Sequence, residues 1–192
     1  MKGVFGVAPP RPITRDLLLS AFAGESMAHM RYLIFADVAE KEGFPNVARL
    51  FRAIAFAEYV HARNHYNVLR DLNTDMHVFA GTPVGPGNTS KNLELAIRGE
   101  VYEITEMYPA YIEVAKFQGE KGAEQSFTWA YRAEQIHAEL YKEAKKYVDE
   151  GKDWPLKGKV WICPVCGHTY VGDEPPEKCP VCGVPKDRYV GF

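Results

Sequence analysis

Apolar residues recur along most of this chain at intervals of three and four, and the places where polar residues enter that rhythm are the informative ones. Starting from Leu18, the steps fall on Ala21, Glu25, Ala28, Tyr32, Phe35 and Ala39, a helical stripe that is apolar except at Glu25. Pro12 and Thr14 mark its start, with Thr14 as a cap. "EGFPN" breaks the pattern at residues 42–46, and a second stripe reads Val47, Phe51, Ile54, Glu58, His61, His65, Val68 and Leu72. Residues 73–90, "NTDMHVFAGTPVGPGNTS", are too irregular for a helix and long for a connection inside one domain. A third stripe follows: Leu93, Ala96, Glu100, Glu103, Met107, Ala110, Val114 and Phe117, with Pro109 expected to kink the helix or free a carbonyl. The fourth is Phe127, Ala130, Glu134, His137, Tyr141, Ala144 and Val148. Each helix is about 27 residues, or about 40 Å at 1.5 Å per residue.

In all four stripes the titratable residues fall near the middle, and all are Glu or His. A single ExxH pair is weak evidence for metal binding. Here "EYVH" (Glu58, His61) and "EQIH" (Glu134, His137) meet Glu25, Glu100 and Glu103 in one layer of a four-helix bundle. Buried carboxylates without partners are costly and raise one another's pKa, so a cationic partner is required. Two ferric ions against five carboxylates and a bridging oxide come close to neutrality, and hard oxygen ligands with two imidazoles suit iron or manganese better than zinc. A Glu from each of two helices and an ExxH from each of the other two is the ligand pattern of di-iron carboxylate bundles. The long connection between the second and third helices fits the single crossover of a ferritin-like bundle. Tyr32 and Tyr108 lie about two turns from Glu25 and Glu100, where their hydroxyls can orient ligand carboxylates. His29 and His65, one turn beyond Glu25 and His61, are expected to support or pack rather than ligate. His77 lies in the irregular segment and receives no role.

Helical periodicity stops in "EGKDWPLKGK", dividing the chain into residues 1–152 and 153–192. All four cysteines follow: Cys163, Cys166, Cys179 and Cys182, spaced C-x2-C-x12-C-x2-C. Two such knuckles are a strong signal for a tetrahedral four-thiolate metal site. The Gly after each second Cys permits a tight turn that points amides at the sulfurs. So small a unit depends on its metal for stability, with Trp161, Tyr170 and Tyr189 expected to supply its packing. The spacing leaves both zinc and iron open: zinc would make a structural ribbon, iron a one-electron carrier.

With these motifs in place, the chain resembles the rubrerythrin family of non-haem iron peroxidases. The resemblance rests on "FAGES…RY" around Glu25, "EYVH", "GEVYEITEMYP" around Glu100 and Glu103, "EQIH" and the two "CPVCG" knuckles, and it spans nearly the whole chain. It implies an all-α ferritin-like bundle with a small C-terminal rubredoxin-like domain. It also implies a di-iron centre on Glu25, Glu58, His61, Glu100, Glu103, Glu134 and His137, and one iron on the four cysteines. In the family one iron shifts between a His and a Glu ligand with redox state, here matching His61 and Glu103, and tyrosines matching Tyr32 and Tyr108 bond the ligand carboxylates. The implied activity is reduction of hydrogen peroxide to water, protecting against oxidative stress. Glu103 or Glu58 would pass protons, and electrons would arrive through the four-cysteine iron from a reductase or rubredoxin, ultimately from NAD(P)H.

Two other readings stay open: a di-iron oxidase or ferroxidase acting on O2 or Fe(II), and a metal-binding protein with a structural zinc ribbon. Bulk properties exclude other classes. The 23 basic and 25 acidic side chains leave a net charge of -2, with no sign of a nucleic-acid partner. No apolar run reaches the roughly 20 residues of a membrane span, and "MKGVFGVAPPRP" does not read as a signal peptide. With every cysteine committed to one cluster, a reducing cytoplasm is expected. A tail tethered at the end of the fourth helix would lie about 20 Å along the axis from its own metal layer. A homodimer is therefore expected, each tail docking on its partner's bundle; some relatives also exchange helices between subunits.

Overall fold

The computed structural model describes residues 9–192; the start of the chain, on which the signal-peptide reading rests, lies outside the described residues. Helix α1 runs over Pro12–Lys41 and α2 over Pro45–Val68, both beginning with proline, whose fixed φ suits a first helical turn. Thr14 is not the cap. It lies inside the first turn of α1, where its hydroxyl donates to Gln118 Oε1 at 2.6 Å. An irregular crossover leads to α3 (Thr89–Tyr102), capped by the Asn88 side chain, which accepts from the Lys91 amide. Helices α4 (Tyr108–Gln118) and α5 (Lys121–Asp149) complete the bundle. Gly119, at φ +74°, makes the left-handed turn between them.

The first, second and fourth stripes are buried almost as the periodicity demands. The third is not. Between α3 and α4 the residues Glu103–Met107 form a π-helical turn. Pro109 has no N–H to continue the ladder, and the Tyr108 amide reaches back five residues to Glu103 O. The extra residue rotates everything beyond it. Tyr108, Ile112 and Ala115 are buried in place of Ala110, Val114 and Phe117, and Phe117 is 90% exposed.

Two apolar clusters fill the bundle, one built on Phe35, Phe51, Ile54 and Tyr141, the other on Leu18, Phe127, Ile112 and Ala130. The titratable layer lies between them. Among the described residues no helix is long and apolar enough to cross a membrane.

The cysteine-bearing segment is a three-stranded antiparallel sheet of order β2-β1-β3, with β1 at Lys159–Ile162, β2 at Thr169–Gly172 and β3 at Val190–Gly191. Tyr189 packs in its small core, but Tyr170 points to solvent on β2, and Trp129 from α5 packs there with Trp161. This segment does not stay at the bundle tip. Asp153 caps the uncapped start of α2 by accepting from the Asn46 and Val47 amides, and Asn46 Nδ2 donates to Trp154 O. Trp154 is buried in the bundle's own core with Val160 and Ile162. From there the chain runs alongside α2 in the same direction, until Arg63 and Asn64 donate to the carbonyls of Pro164 and Val165. The rise from Asn46 to His61 is about 22 Å at 1.5 Å per residue, which carries the tail back to the metal layer of its own bundle. The geometric reason for docking on a partner is thereby removed.

Candidate metal centres

The carboxylates and imidazoles of the four stripes converge as two interlocked sets. Glu25, Glu58, His61 and Glu134 can each place one ligand atom within 4.8 Å of the others, and so can Glu58, Glu100, Glu134 and His137. Glu58 and Glu134 belong to both. Glu134 sets one oxygen 2.8 Å from His61 Nδ1 and the other 2.6 Å from His137 Nδ1. Glu58 does the same at 3.0 and 3.4 Å. Each of these carboxylates spans the gap between the two imidazoles, as a bridging ligand must, while Glu25 and Glu100 close the two ends.

The end carboxylates are held from across the bundle. Tyr32 on α1 donates to Glu100 Oε1 at 2.6 Å, and Tyr108 on α4 donates to Glu25 Oε1. Each hydroxyl thus reaches not the carboxylate two turns along its own segment but the one on the facing helix. Behind Tyr108 the chain of contacts continues: His65 Nε2 lies 3.1 Å from its hydroxyl, and Ser126 Oγ lies 2.8 Å from His65 Nδ1. His29 is turned away, with Nδ1 on the Ala55 carbonyl at 2.7 Å.

Charge makes the case for metal. Burial pushes Glu25 and Glu100 well above the usual carboxylate range, and the neighbouring charges of Glu58 and Glu134 push them further. Burial also raises Glu134 and Glu58, but hydrogen bonds and charge from His61 and His137 outweigh it and hold both low. Burial alone would depress His61, yet Glu134 and Glu58 lift it to about 10. His65 is pushed down to about 3 by burial and by the charge of His61. Three buried carboxylate oxygens of the layer, Glu25 Oε2, Glu58 Oε1 and Glu100 Oε2, have no hydrogen-bond partner. Buried anionic oxygens without donors are costly, and two cations between them would satisfy the layer. The residues fit a dinuclear metal site.

Glu103 lies in the π turn, half-buried and outside both four-residue sets. Burial, then the charge of Glu25, Glu134, Glu100 and Glu58, raise its carboxyl well above the usual range.

The four cysteines are free thiols with their sulfurs within 4.8 Å of one another. Both knuckles carry the same backbone bonds. Gly167 N donates to Cys163 O and Gly183 N to Cys179 O, each at 2.9 Å. Both glycines are left-handed, at φ +80° and +78°. Mutual hydrogen bonding among the thiols, with Cys163 foremost, pushes Cys166 far up and Cys179 far down. A metal bound by the four sulfurs would displace their protons.

Sequence reasoning gave Gly167 only a turn and passed over His168 and Thr169, which join the two sites. His137 Nε2 lies 2.7 Å from Thr169 Oγ1. Gly167 packs directly on the His61 ring, leaving no room for a side chain. His168, between them, is buried with Nδ1 2.8 Å from the Tyr189 hydroxyl. The signal available was adjacency: all three follow Cys166. Tyr141, buried beside the layer, was visible only as a core position, and Ser126 falls outside the stripe altogether.

Fold and site together define a ferritin-like bundle with a carboxylate–histidine di-iron type centre, joined to a rubredoxin-like four-cysteine domain. Comparison with known proteins agrees. The rubrerythrin family model matches residues 16–145, and that of the rubrerythrin rubredoxin-like domain matches residues 161–190. Rubrerythrin-2 of Clostridium acetobutylicum is 51% identical over 180 residues, covering 94% of this chain and 97% of the relative. The structure of fully reduced, all-ferrous nigerythrin superposes with a TM-score of 0.81 at 34% identity, covering 100% of this chain and 90% of that one. Bacterioferritin of Rhodobacter capsulatus shares the fold, with a TM-score of 0.65 at 18% identity over 74% of this chain and 89% of that one. The chain belongs to the rubrerythrin family.

Proposed function

We propose that the chain reduces hydrogen peroxide to water in its bundle, with electrons entering through the four-cysteine domain. The observation that carries this reading is the seating of that domain on His61 and His137. An electron carrier has a use at that position, whereas an iron-storing bundle draws its electrons from incoming ferrous iron. Glu25, Glu58, His61 and Glu134 would hold one iron, Glu58, Glu100, Glu134 and His137 the second, and Cys163, Cys166, Cys179 and Cys182 a third. Bound iron supplies the electrons: two per peroxide from the bundle pair, replenished singly through the thiolate iron.

The chain's own residues supply position and protons. Each peroxide consumes two protons and two electrons and gives two waters. Glu103, whose carboxyl is raised above the usual range by burial and its acidic neighbours, is assigned as the acid at the layer. Glu58, held ionised by its imidazoles, is a ligand rather than a proton donor. Ser126, His65 and Tyr108 form a line of hydrogen-bonding groups ending at Glu25, and His65, neutral at ordinary pH, has one ring nitrogen to accept and one to donate. Ser126 borders a surface cavity near Asn67 and Gln125, so this line can refill protons from solvent.

We place the boundary between the two units at residues 152 and 153, and the protein in a reducing cytoplasm fed by an NAD(P)H-linked reductase or rubredoxin, as an oxidative-stress enzyme. A homodimer is proposed on the apolar groove outside α1 and α2, where Met30, Tyr59 and Tyr66 are 55%, 46% and 58% exposed. The test of the activity is stopped-flow oxidation of the reduced, iron-loaded protein. Hydrogen peroxide should outpace O2, and faster oxidation by O2, or turnover of added Fe(II), would shift the reading to an oxidase.

A further inference from the structure

Glycine occurs in the interiors of the described helices at only two places beyond a first turn, Gly24 in α1 and Gly99 in α3. Each immediately precedes a carboxylate of the metal layer, Glu25 and Glu100. Mid-helix glycine is destabilising relative to alanine, so two at matching places call for a reason. Close packing is not that reason. A Cβ at Gly24 would meet nothing within 4 Å, and one at Gly99 would meet Arg31 Nη2 at 3.9 Å and Tyr32 Oη at 4.0 Å, which is ordinary contact. Instead both glycines line one cavity of about 490 Å³, whose wall also includes Glu103. At about 30 Å³ per water it has room for roughly fifteen waters. Residues 80–83 of the crossover roof it, and Arg31 on α1 donates to Thr82 Oγ1, tying roof to wall. The four-cysteine domain covers α2 and α5 instead, through its contacts with His61, Arg63, Asn64 and His137.

We propose that this cavity is the passage by which hydrogen peroxide reaches the metal layer, opened by the missing side chains of Gly24 and Gly99 and roofed by residues 80–83. The inference rests on the peroxide-reducing reading. It places oxidant and electron donor on different faces of the bundle, so that neither must leave for the other to act. It also gives the π turn a use, since that turn sets Glu103 in the wall of the passage.

Filling the passage tests this. Gly24→Ala should fold and melt higher than the parent, because the added methyl has free space and the helix gains. Gly24→Leu, with both bundle irons retained, should be oxidised by hydrogen peroxide about tenfold more slowly, equivalent to about 1.4 kcal/mol of barrier. A readout independent of turnover is the rate at which bipyridyl withdraws ferrous iron from the bundle of the full chain, which should fall in the same variant. Gly99→Leu should behave alike and carries the test if Gly24→Leu fails to load iron; Thr82→Ala, which releases Arg31 from the roof, should speed both processes. Wild-type rates of oxidation and iron release in either loaded leucine variant would overturn the passage. Should the parent react no faster with peroxide than with O2, the functional reading fails, and the bipyridyl rates alone then decide whether the passage exists.

Discussion

His137 Nε2 lies 2.7 Å from Thr169 Oγ1, so an imidazole of the metal layer is hydrogen-bonded to the four-cysteine domain of the same chain. Thr169 itself donates to the Gly167 carbonyl at 3.2 Å, which leaves its oxygen to accept from His137 Nε2–H. That fixes the tautomer in which Nδ1, 2.6 Å from Glu134, is the nitrogen free to bind metal. Thr169→Val should strand a buried N–H at a cost of about 1–3 kcal/mol and weaken bundle metal binding about 10–100-fold. Thr169→Ser should restore it. Metal titration of the iron-free protein checks both, and unchanged affinity in the valine variant would reduce the contact to packing.

Gly167 is at φ +80°, and any Cβ there would overlap His61 Nε2. In Gly167→Ala the left-handed backbone alone costs about 1–2 kcal/mol, and the four-cysteine domain must lift from the bundle. Both iron sites should still load, while reoxidation of the thiolate iron by the bundle slows at least tenfold in stopped-flow traces. The same geometry predicts that mixing chains truncated at residue 152 with Glu58→Ala chains restores no activity. Restored activity would return electron transfer to the subunit interface.

Glu58→Ala and Glu134→Ala each remove a carboxylate shared by both ligand sets. Each should lose most bundle iron and keep the thiolate-iron chromophore, because the cysteine knuckles close on their own backbone bonds. Metal analysis showing two bundle irons in either variant would remove that residue from the ligand set.

His65→Phe fills a similar volume but interrupts the line from Ser126 to Tyr108. Iron content should stay at two per bundle, and steady-state peroxide turnover should fall about 100-fold or more, the lower end of the usual scale of positioned proton transfer, with a larger solvent isotope effect. Parent-like turnover would mean that protons arrive by another route.

The iron-free protein should lose stability as pH rises above neutrality. Folded His61 is raised from 6.5 to about 10 and His137 is raised as well, so between pH 6.5 and 10 the folded state binds more protons than the unfolded. Stability then falls with pH, by about 1.4 kcal/mol per unit for each such proton. Glu25 and Glu100, also raised, act in the same direction from pH 4.5 upward. His65, lowered to about 3, acts oppositely, but only between pH 3 and 6.5. Melting of the iron-free chain should therefore occur at lower temperature at pH 9 than at pH 7, and bound iron should flatten the trend. A melting point that rises from pH 7 to 9 would contradict the charge assignment.

The ligand layer was legible in the sequence because a helix repeats every 3.6 residues: Glu25, Glu58, His61, Glu100, Glu134 and His137 each stand where an apolar side chain belongs, and helical spacing alone brings them to one level. The cysteine knuckles were legible for a similar reason, since two residues between sulfurs suit a single tight turn. Beyond Met107 the same reasoning failed. A π turn adds one residue, and whether Pro109 kinks the helix or shifts its phase depends on what α1 and α5 offer to pack against. Where the tail sits was likewise undecidable from periodicity, because a linker's path is set by distant partners: Asp153 on the α2 amides, Trp154 in the bundle core, Thr169 on His137. Local repeats specify which face a residue takes. Only the packed chain decides which faces meet.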